Sequence, residues 1–143
     1  MKKSVWVALI VLIVGALALS ACGGGGGNGE GAERQDPPAE YAGMTNPFEG
    51  DAEAVTAGQS LYATNCAGCH GDNGGGDGPA AASLDPKPAN LANTVAQTDP
   101  QYSHWVISEG GAAAGISSSM PAFKGSLSDE DIWRIVTFME ESF

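Results

Sequence analysis

The chain has 143 residues, room for one ordinary domain and little more. Charged residues make up 16%, glycine fills 21 positions, and the formal net charge is −11. That acid excess argues against a nucleic-acid binder, which needs a basic face to meet phosphates, and against a polybasic patch that adheres to anionic lipid.

The chain opens with Met1-Lys2-Lys3, followed by an uncharged apolar run from Val5 to Leu19. A basic start, an apolar stretch and then small residues are the pattern of an export signal. The run is shorter than the roughly 20 residues needed to cross a bilayer core. It ends in Leu19-Ser20-Ala21-Cys22, which resembles a bacterial lipobox, whose cysteine is acylated and becomes the new first residue. Residues 1–21 are then a lipoprotein signal peptide, and Cys22 carries the lipid. The other reading is an uncleaved anchor with Cys22 as an idle thiol. Both place the rest of the chain outside the cytoplasmic membrane and tethered to its outer face. Cleavage removes Lys2 and Lys3, leaving four basic and 17 acidic residues, a charge of −13.

Residues 22–50 read as a linker. Gly23 to Gly27 are consecutive glycines, and such a stretch cannot bury enough apolar surface to offset its ordering entropy. Gly23–Glu49 as a glycine-rich coil would span about 30 Å root-mean-square, and about 90 Å taut. Its second half carries Tyr41, Met44 and Phe48 among prolines. These side chains suit docking on the domain or on a partner, and an extended proline-rich tail is equally open.

The domain proper is 51–143. Apolar and small residues from Asp51 to Asn65 recur at helical spacing, Ala54, Gly58, Leu61, Tyr62 and Asn65 among them. Cys66-Ala67-Gly68-Cys69-His70 follows, the attachment pattern of c-type haem. Two thiols three positions apart can add to the two vinyl groups of one haem, and the next residue, His70, then lies beneath the iron. A thioredoxin-like motif would need a strand before it. A zinc site would need two further ligands nearby, and the remaining His and Cys are His104 and Cys22. A plain disulfide would leave His70 without a role. With Cys66 and Cys69 on haem and Cys22 on lipid, no thiol remains for a structural disulfide. One covalent haem c would also staple a small domain that has little core of its own.

The candidates for a second axial ligand are Met44, Met120, Met139 and His104. Met120 lies in Ser117-Ser118-Ser119-Met120-Pro121-Ala122-Phe123, a small-residue loop able to wrap a haem face, stiffened by Pro121. Met139 sits in a helical run where a methionine reads as core. Met44 precedes the domain, and His104 would give bis-His ligation. The metal ligands expected are therefore His70 and Met120. The final helix starts at Ser128, a good N-cap, with Asp129, Glu130 and Asp131 in the first turn, where the dipole favours anions. Asp131 stands where Glu or Gln would complete a capping box. Ile132, Ile135, Val136 and Met139 form its apolar stripe.

From about Asp51 to Phe143 the chain resembles a class I c-type cytochrome. The resemblance rests on Gly58-x-x-x-Tyr62-x-x-x-Cys66, Cys66–His70 with Gly71, Gly78-Pro79, Met120-Pro121 and a terminal helix, in that order. It implies an all-α fold of three to four helices around one covalently bound haem. It implies that Gly58 and Tyr62 meet Ile135 and Phe138 where the first and last helices cross. It implies a proline carbonyl accepting from His70 Nδ1, with Pro79 the best match and Pro86 and Pro88 as rivals. Tyr102 to Gly110 becomes the short helix before the methionine loop. Trp105 lines the haem, reaches a propionate, or is ordinary core. His104 reads as a surface or propionate-side residue.

With both axial positions filled, no site is left for a substrate, and no nucleophile with a paired base stands out. The expected role is one-electron transfer without catalysis of its own, in an exported respiratory or photosynthetic chain. One form is a lipid-tethered carrier between a quinol-oxidising complex and a terminal oxidase or reaction centre. The other is a resident monohaem subunit of a membrane complex, since Pro37 to Phe48 is similar to the approach segment in alternative complex III. Haem sensing or peroxidase-like chemistry would need a labile sixth ligand. The charge of −13 suggests a partner with a basic face and association slowed by salt; the bland reading is that the acids keep an exported protein soluble.

Overall fold

The computed structural model describes residues 34–143. The expected signal segment, Cys22 and the glycine run lie outside the described residues. Five α-helices follow in order: α1 (Ala52–Asn65), α2 (Ala67–His70), α3 (Leu91–Thr94), α4 (Pro100–Glu109) and α5 (Asp129–Ser142). Single 3-10 turns occupy Ala81–Ser83 and Val95–Gln97, and no strand occurs among the described residues. The class is all-α, as expected. α2 and α3 are one turn each, so α1, α4 and α5 carry the architecture. No helix among the described residues is long and apolar enough to cross a membrane.

The helix ends follow from local chemistry. Asp51 caps α1, its Oδ1 accepting from the backbone N–H of Glu53 (2.8 Å) and Ala54 (3.2 Å). Ser128 caps α5, its Oγ accepting from the Asp131 N–H at 3.1 Å. The Ser128 hydroxyl in turn donates to Asp131 Oδ2 at 2.8 Å. A glutamate at this position reaches back to the cap's own N–H. Aspartate, one methylene shorter, closes the box on the serine hydroxyl instead. Pro100 opens α4, two residues before the expected start at Tyr102; its missing N–H costs nothing in a first turn.

α1 and α5 cross through Gly58, and this contact sets the core. A Cβ on Gly58 would run into the carbonyl of Arg134 and come within 2.9 Å of Phe138 Cβ. Only a residue without a side chain lets the two backbones approach this closely. One turn on, Tyr62 is 2% exposed, its ring 5.3 Å from that of Phe138 and 5.4 Å from that of Phe143. Ile132, Trp133, Ile135, Val136 and Met139 complete the buried cluster with Ile107 from α4.

The stretch before α1 is docked on the domain. Tyr41 donates to Glu109 Oε1 at 2.6 Å and lies against the rings of His104 and Trp105. Burial, aided by the Glu109 carboxylate, pushes the Tyr41 hydroxyl up to about 12, so it remains a donor. Asn46 Nδ2 donates to Thr137 Oγ1 and Glu140 Oε2, each at 3.0 Å. Met44 and Phe48 pack on the main cluster, and the Gln35 N–H reaches the Ala114 carbonyl at 3.1 Å. The linker expected over 22–50 therefore has a strap, from about residue 34 onward, that belongs to the domain. Three large apolar side chains supply the burial that a glycine stretch lacks.

Because Gly58 admits no side chain, Gly58→Ala should destabilise the domain by about 2–3 kcal/mol through overpacking. Denaturant unfolding should show a lower midpoint with an unchanged slope. An unchanged midpoint would mean that the crossing tolerates separation.

Candidate haem site

Cys66 ends α1, and Cys69 and His70 lie in α2. The turn is closed by backbone N–H groups of Cys69 (3.1 Å) and His70 (2.9 Å) donating to the Cys66 carbonyl. Side chains three apart on a helical turn share a face, so the two thiols are presented together. Both are free and half-buried. Burial, and secondarily Cys69, pushes the Cys66 thiol up to about 12. Such a thiol stays protonated, unlike a metal-binding thiolate. Among the described residues no three His, Cys, Asp or Glu side chains converge as a metal cluster, so the two thiols have no co-ligands there for zinc.

Directly after the motif, the core reaches up to hold the backbone. The buried Tyr62 hydroxyl donates to the Gly71 carbonyl at 2.9 Å. Burial raises its pKa, which keeps it a donor. The position of His70 is thus tied to the α1–α5 crossing through one side chain.

His70 Nδ1 lies 3.1 Å from the Ala89 carbonyl oxygen. A carbonyl only accepts, so Nδ1 carries the proton and Nε2 keeps its lone pair. Burial also lowers the His70 pKa and favours the neutral ring, the form that can ligate a metal. The expected partner was Pro79, and that expectation is corrected. Gly78 and Ala80 donate to the Cys69 and Gly68 carbonyls at 3.1 and 2.9 Å, which presses this turn onto the backbone of α2. Pro79 is left as an exposed turn residue. The chain meets the His70 ring only after Pro88. Any residue offers a backbone carbonyl, so nothing in the residue type marked Ala89.

Met120 is half-buried and packs on both apolar clusters, the main one containing Ala67 and the smaller one of Trp105, Val106 and Ala114. Its loop is pinned to α4 and to Gly111 just beyond it by backbone bonds. Gly111 donates to the Met120 carbonyl (3.0 Å), Phe123 to Ile107 (3.0 Å) and Lys124 to Ser108 (3.2 Å). The close approach needs Gly110, which has φ +83° and would carry a Cβ within 2.9 Å of Met120 O. Met139 is buried in the core, and Met44 packs at its edge from the strap.

Trp105 is 3% exposed, at the centre of the smaller cluster and 5.7 Å edge-on to Tyr102. It is a core residue bordering Met120. His104 is 2% exposed and not a surface residue. Its ring stacks on Trp133 at 4.2 Å. His104 Nε2 lies 2.9 Å from Asp129 Oδ1, but off the ring N–H direction, so neither ring nitrogen has an aligned hydrogen bond. α4 is amphipathic towards two clusters at once, and its sequence alone did not say which face His104 takes.

The donor set fits a covalent haem. Two half-buried thiols stand three positions apart on one helical turn, and a neutral imidazole is oriented through Nδ1. Cys66, Leu91, Val95, Met120, Phe123 and Leu127 form a half-buried apolar set on the main cluster, as a flat apolar ligand requires.

A family model described as cytochrome c oxidase, cbb3-type, subunit III, matches residues 53–139, more than half of the chain. The chain belongs to this family of c-type cytochromes. Membership brings covalently bound haem c and haem-based electron transfer. A solved chain of a reducing HAO-like protein complex from Kuenenia stuttgartiensis is similar in fold, with a TM-score of 0.58 and 23% identity. The match covers 76% of this cytochrome but 51% of that chain, so this cytochrome corresponds to about half of it. No match to a curated protein was found.

The buried His104 makes the cytochrome sensitive to acid. Burial lowers its pKa from 6.5, and Asp129 offsets this only in part. Below about pH 6.5 the unfolded chain takes up a proton that the folded one refuses, so stability falls as pH falls; above it this group is silent. Unfolding at about pH 7.5 and about pH 5.5 should show that loss, and His104→Gln should reduce it by up to one proton's slope. An equal loss in the variant would remove His104 from the pH response.

Proposed function

We propose that this cytochrome is a membrane-tethered one-electron carrier with His70 and Met120 as axial ligands. The observation that carries the reading is the pairing of an oriented His70 with a pinned Met120 loop. His70 Nδ1 is occupied by the Ala89 carbonyl, which leaves Nε2 to the metal. The Ile107–Phe123 and Ser108–Lys124 bonds hold the methionine loop against α4, and the Gly111–Met120 bond closes it just beyond the helix. Haem c held by Cys66 and Cys69 would supply a one-electron Fe(II)/Fe(III) couple, and a Met120 thioether ligand would favour its reduced form. The residues do the rest: the apolar cluster excludes water, and Tyr62 and Ala89 fix the imidazole. A ligand loop held by three backbone bonds argues against the labile sixth position that sensing or peroxidase-like chemistry needs.

Cys22 would carry the lipid, residues 1–21 would be the removed signal, and the domain would sit on the outer face of the cytoplasmic membrane. Because the strap docks from about residue 34, the reach of the tether would be set by residues 23–33. Eleven residues span at most about 40 Å taut, less than half the reach expected of the whole linker. Partners would be a quinol-oxidising complex on one side and a terminal oxidase or reaction centre on the other. Docking of Tyr41, Met44 and Phe48 on their own domain supports the tethered carrier over a resident, alternative complex III-like subunit, since the segment that suggested the latter is already occupied.

Met120→Ala should lower the reduction potential and let the reduced protein bind carbon monoxide, with haem still covalently attached; an unchanged spectrum and potential would remove Met120 as ligand. Cys22→Ser should move the haem-stained polypeptide from the membrane to the soluble exported fraction. Retention in the membrane would point to an uncleaved anchor.

A further inference from the structure

The segment around Met120 has little of its own to hold it. Ten of the 14 residues 110–123 are glycine, alanine or serine. Such residues bury little surface, and glycine loses the most freedom on ordering. Backbone bonds to Ile107 and Ser108 fasten its end at Phe123 and Lys124, and the Gly111–Met120 bond closes its neck. Residues 112–119 lie between, with local turn bonds from Gly115 to Ala112 (3.2 Å) and from Ile116 to Gly111 (2.9 Å).

The strap adds a fastening on each side of Met120. Six residues before it, Ala114 is 0% exposed, and its carbonyl accepts from the Gln35 N–H at 3.1 Å. Four residues after it, Lys124 Nζ donates to Glu109 Oε1 at 2.7 Å and to Oε2 at 2.6 Å. The Tyr41 hydroxyl donates to the same carboxylate at 2.6 Å. A turn presents Tyr41, whose own N–H and that of Ala42 donate to the Pro38 carbonyl at 2.9 and 3.1 Å. Its ring packs on the cluster of Trp105, Val106 and Ala114, on which Met120 also packs. The Arg34 guanidinium lies 5.3 Å from the centre of the Tyr102 ring, at the edge of that cluster. These contacts of residues 34–41 fall on α4 and on the methionine loop. The contacts of Asn46, with Thr137 and Glu140, fall on α5 instead.

We infer that the first half of the strap is a clasp for the sixth ligand, in which Gln35 and Tyr41 hold the loop from either side of Met120 and Tyr41 is a positioning residue for its sulfur. The inference rests on the reading of Met120 as an axial ligand and adds what keeps it in place. The Lys124–Glu109 pair is exposed on the lysine side and adds little by itself. A hydroxyl from a docked segment on the same carboxylate ties the end of the loop to the strap. Were the strap to lift, the Ala114 carbonyl would lose this donor within a fully buried residue, a larger loss than that of an exposed bond. Docked strap and closed loop therefore favour each other reciprocally. The segment needed to position the ligand thus begins before the domain limit of 51 read from the sequence.

The test is titration of the ferric holoprotein with free imidazole, followed in the visible spectrum. Imidazole competes with the Met120 sulfur, so its apparent affinity reports the fraction of molecules in which the loop is open. Tyr41→Phe keeps the ring and removes the hydroxyl, and should tighten imidazole binding about fivefold. Tyr41→Ala also removes the packing, and should tighten it more than about tenfold and weaken the red charge-transfer band that marks thioether ligation. Asn46→Ala, which frees the strap from α5, should lower the denaturant midpoint yet leave imidazole affinity within about twofold of the parent. A merely structural Tyr41 would move the midpoint alone. Parental imidazole affinity in the Tyr41 variants would overturn the clasp, and so would an equal tightening in Asn46→Ala. Should Tyr41→Ala fail to mature, Tyr41→Phe decides. Met120→Ala should bind imidazole more tightly than any of these, and parental affinity there would instead bring down the ligand assignment on which the clasp rests.

Discussion

The crossing of α1 and α5 at Gly58 is the constraint from which the rest of the domain is built. It brings two backbones closer than any side chain would permit, with the Arg134 carbonyl against the Gly58 Cα. Tyr62, one turn later, is then sealed between Phe138 and Phe143. From that buried position its hydroxyl reaches the Gly71 carbonyl and fixes the backbone just past His70. A packing contact in the core is thereby converted into a defined backbone position next to His70, the proposed metal ligand. The Gly71 carbonyl also accepts from the Gly74 N–H at 3.1 Å, so losing the tyrosine hydroxyl would cost about 1 kcal/mol, as for a typical hydrogen bond.

The two ligands expected to face the iron are held by different means. His70 stands at the end of a one-turn helix, and its ring is set by a backbone carbonyl 19 residues later. Met120 stands in a loop with no helix of its own, and α4 serves as its scaffold through Gly110 and Gly111. A carrier gains from both devices, since little reorganisation around the metal keeps the cost of each electron exchange low. Lys124, at the end of this loop, pairs with Glu109 of α4, and Arg134 pairs with Glu130 and Asp131 within α5. Exposed pairs of this kind add little stability.

The sequence by itself determined the helices that have strong local signals. Asp51 and Ser128 are caps whose side chains satisfy free backbone donors, and these ends lie where the residues place them. The Cys66–His70 spacing carries the attachment chemistry, since thiol, thiol and imidazole at fixed intervals have few other uses together. The close crossing at Gly58 and Tyr62 was implied by the resemblance to class I c-type cytochromes, and the interval itself does not dictate it. Tertiary structure alone decided three things. Ala89 is the acceptor for His70, since every residue has a carbonyl and only the path of the chain selects one. His104 is buried against Trp133, since α4 faces two clusters and its periodicity fits either. Tyr41, Met44 and Phe48 dock on their own domain, since apolar residues in a linker declare only that they will be covered, and the fold supplies what covers them.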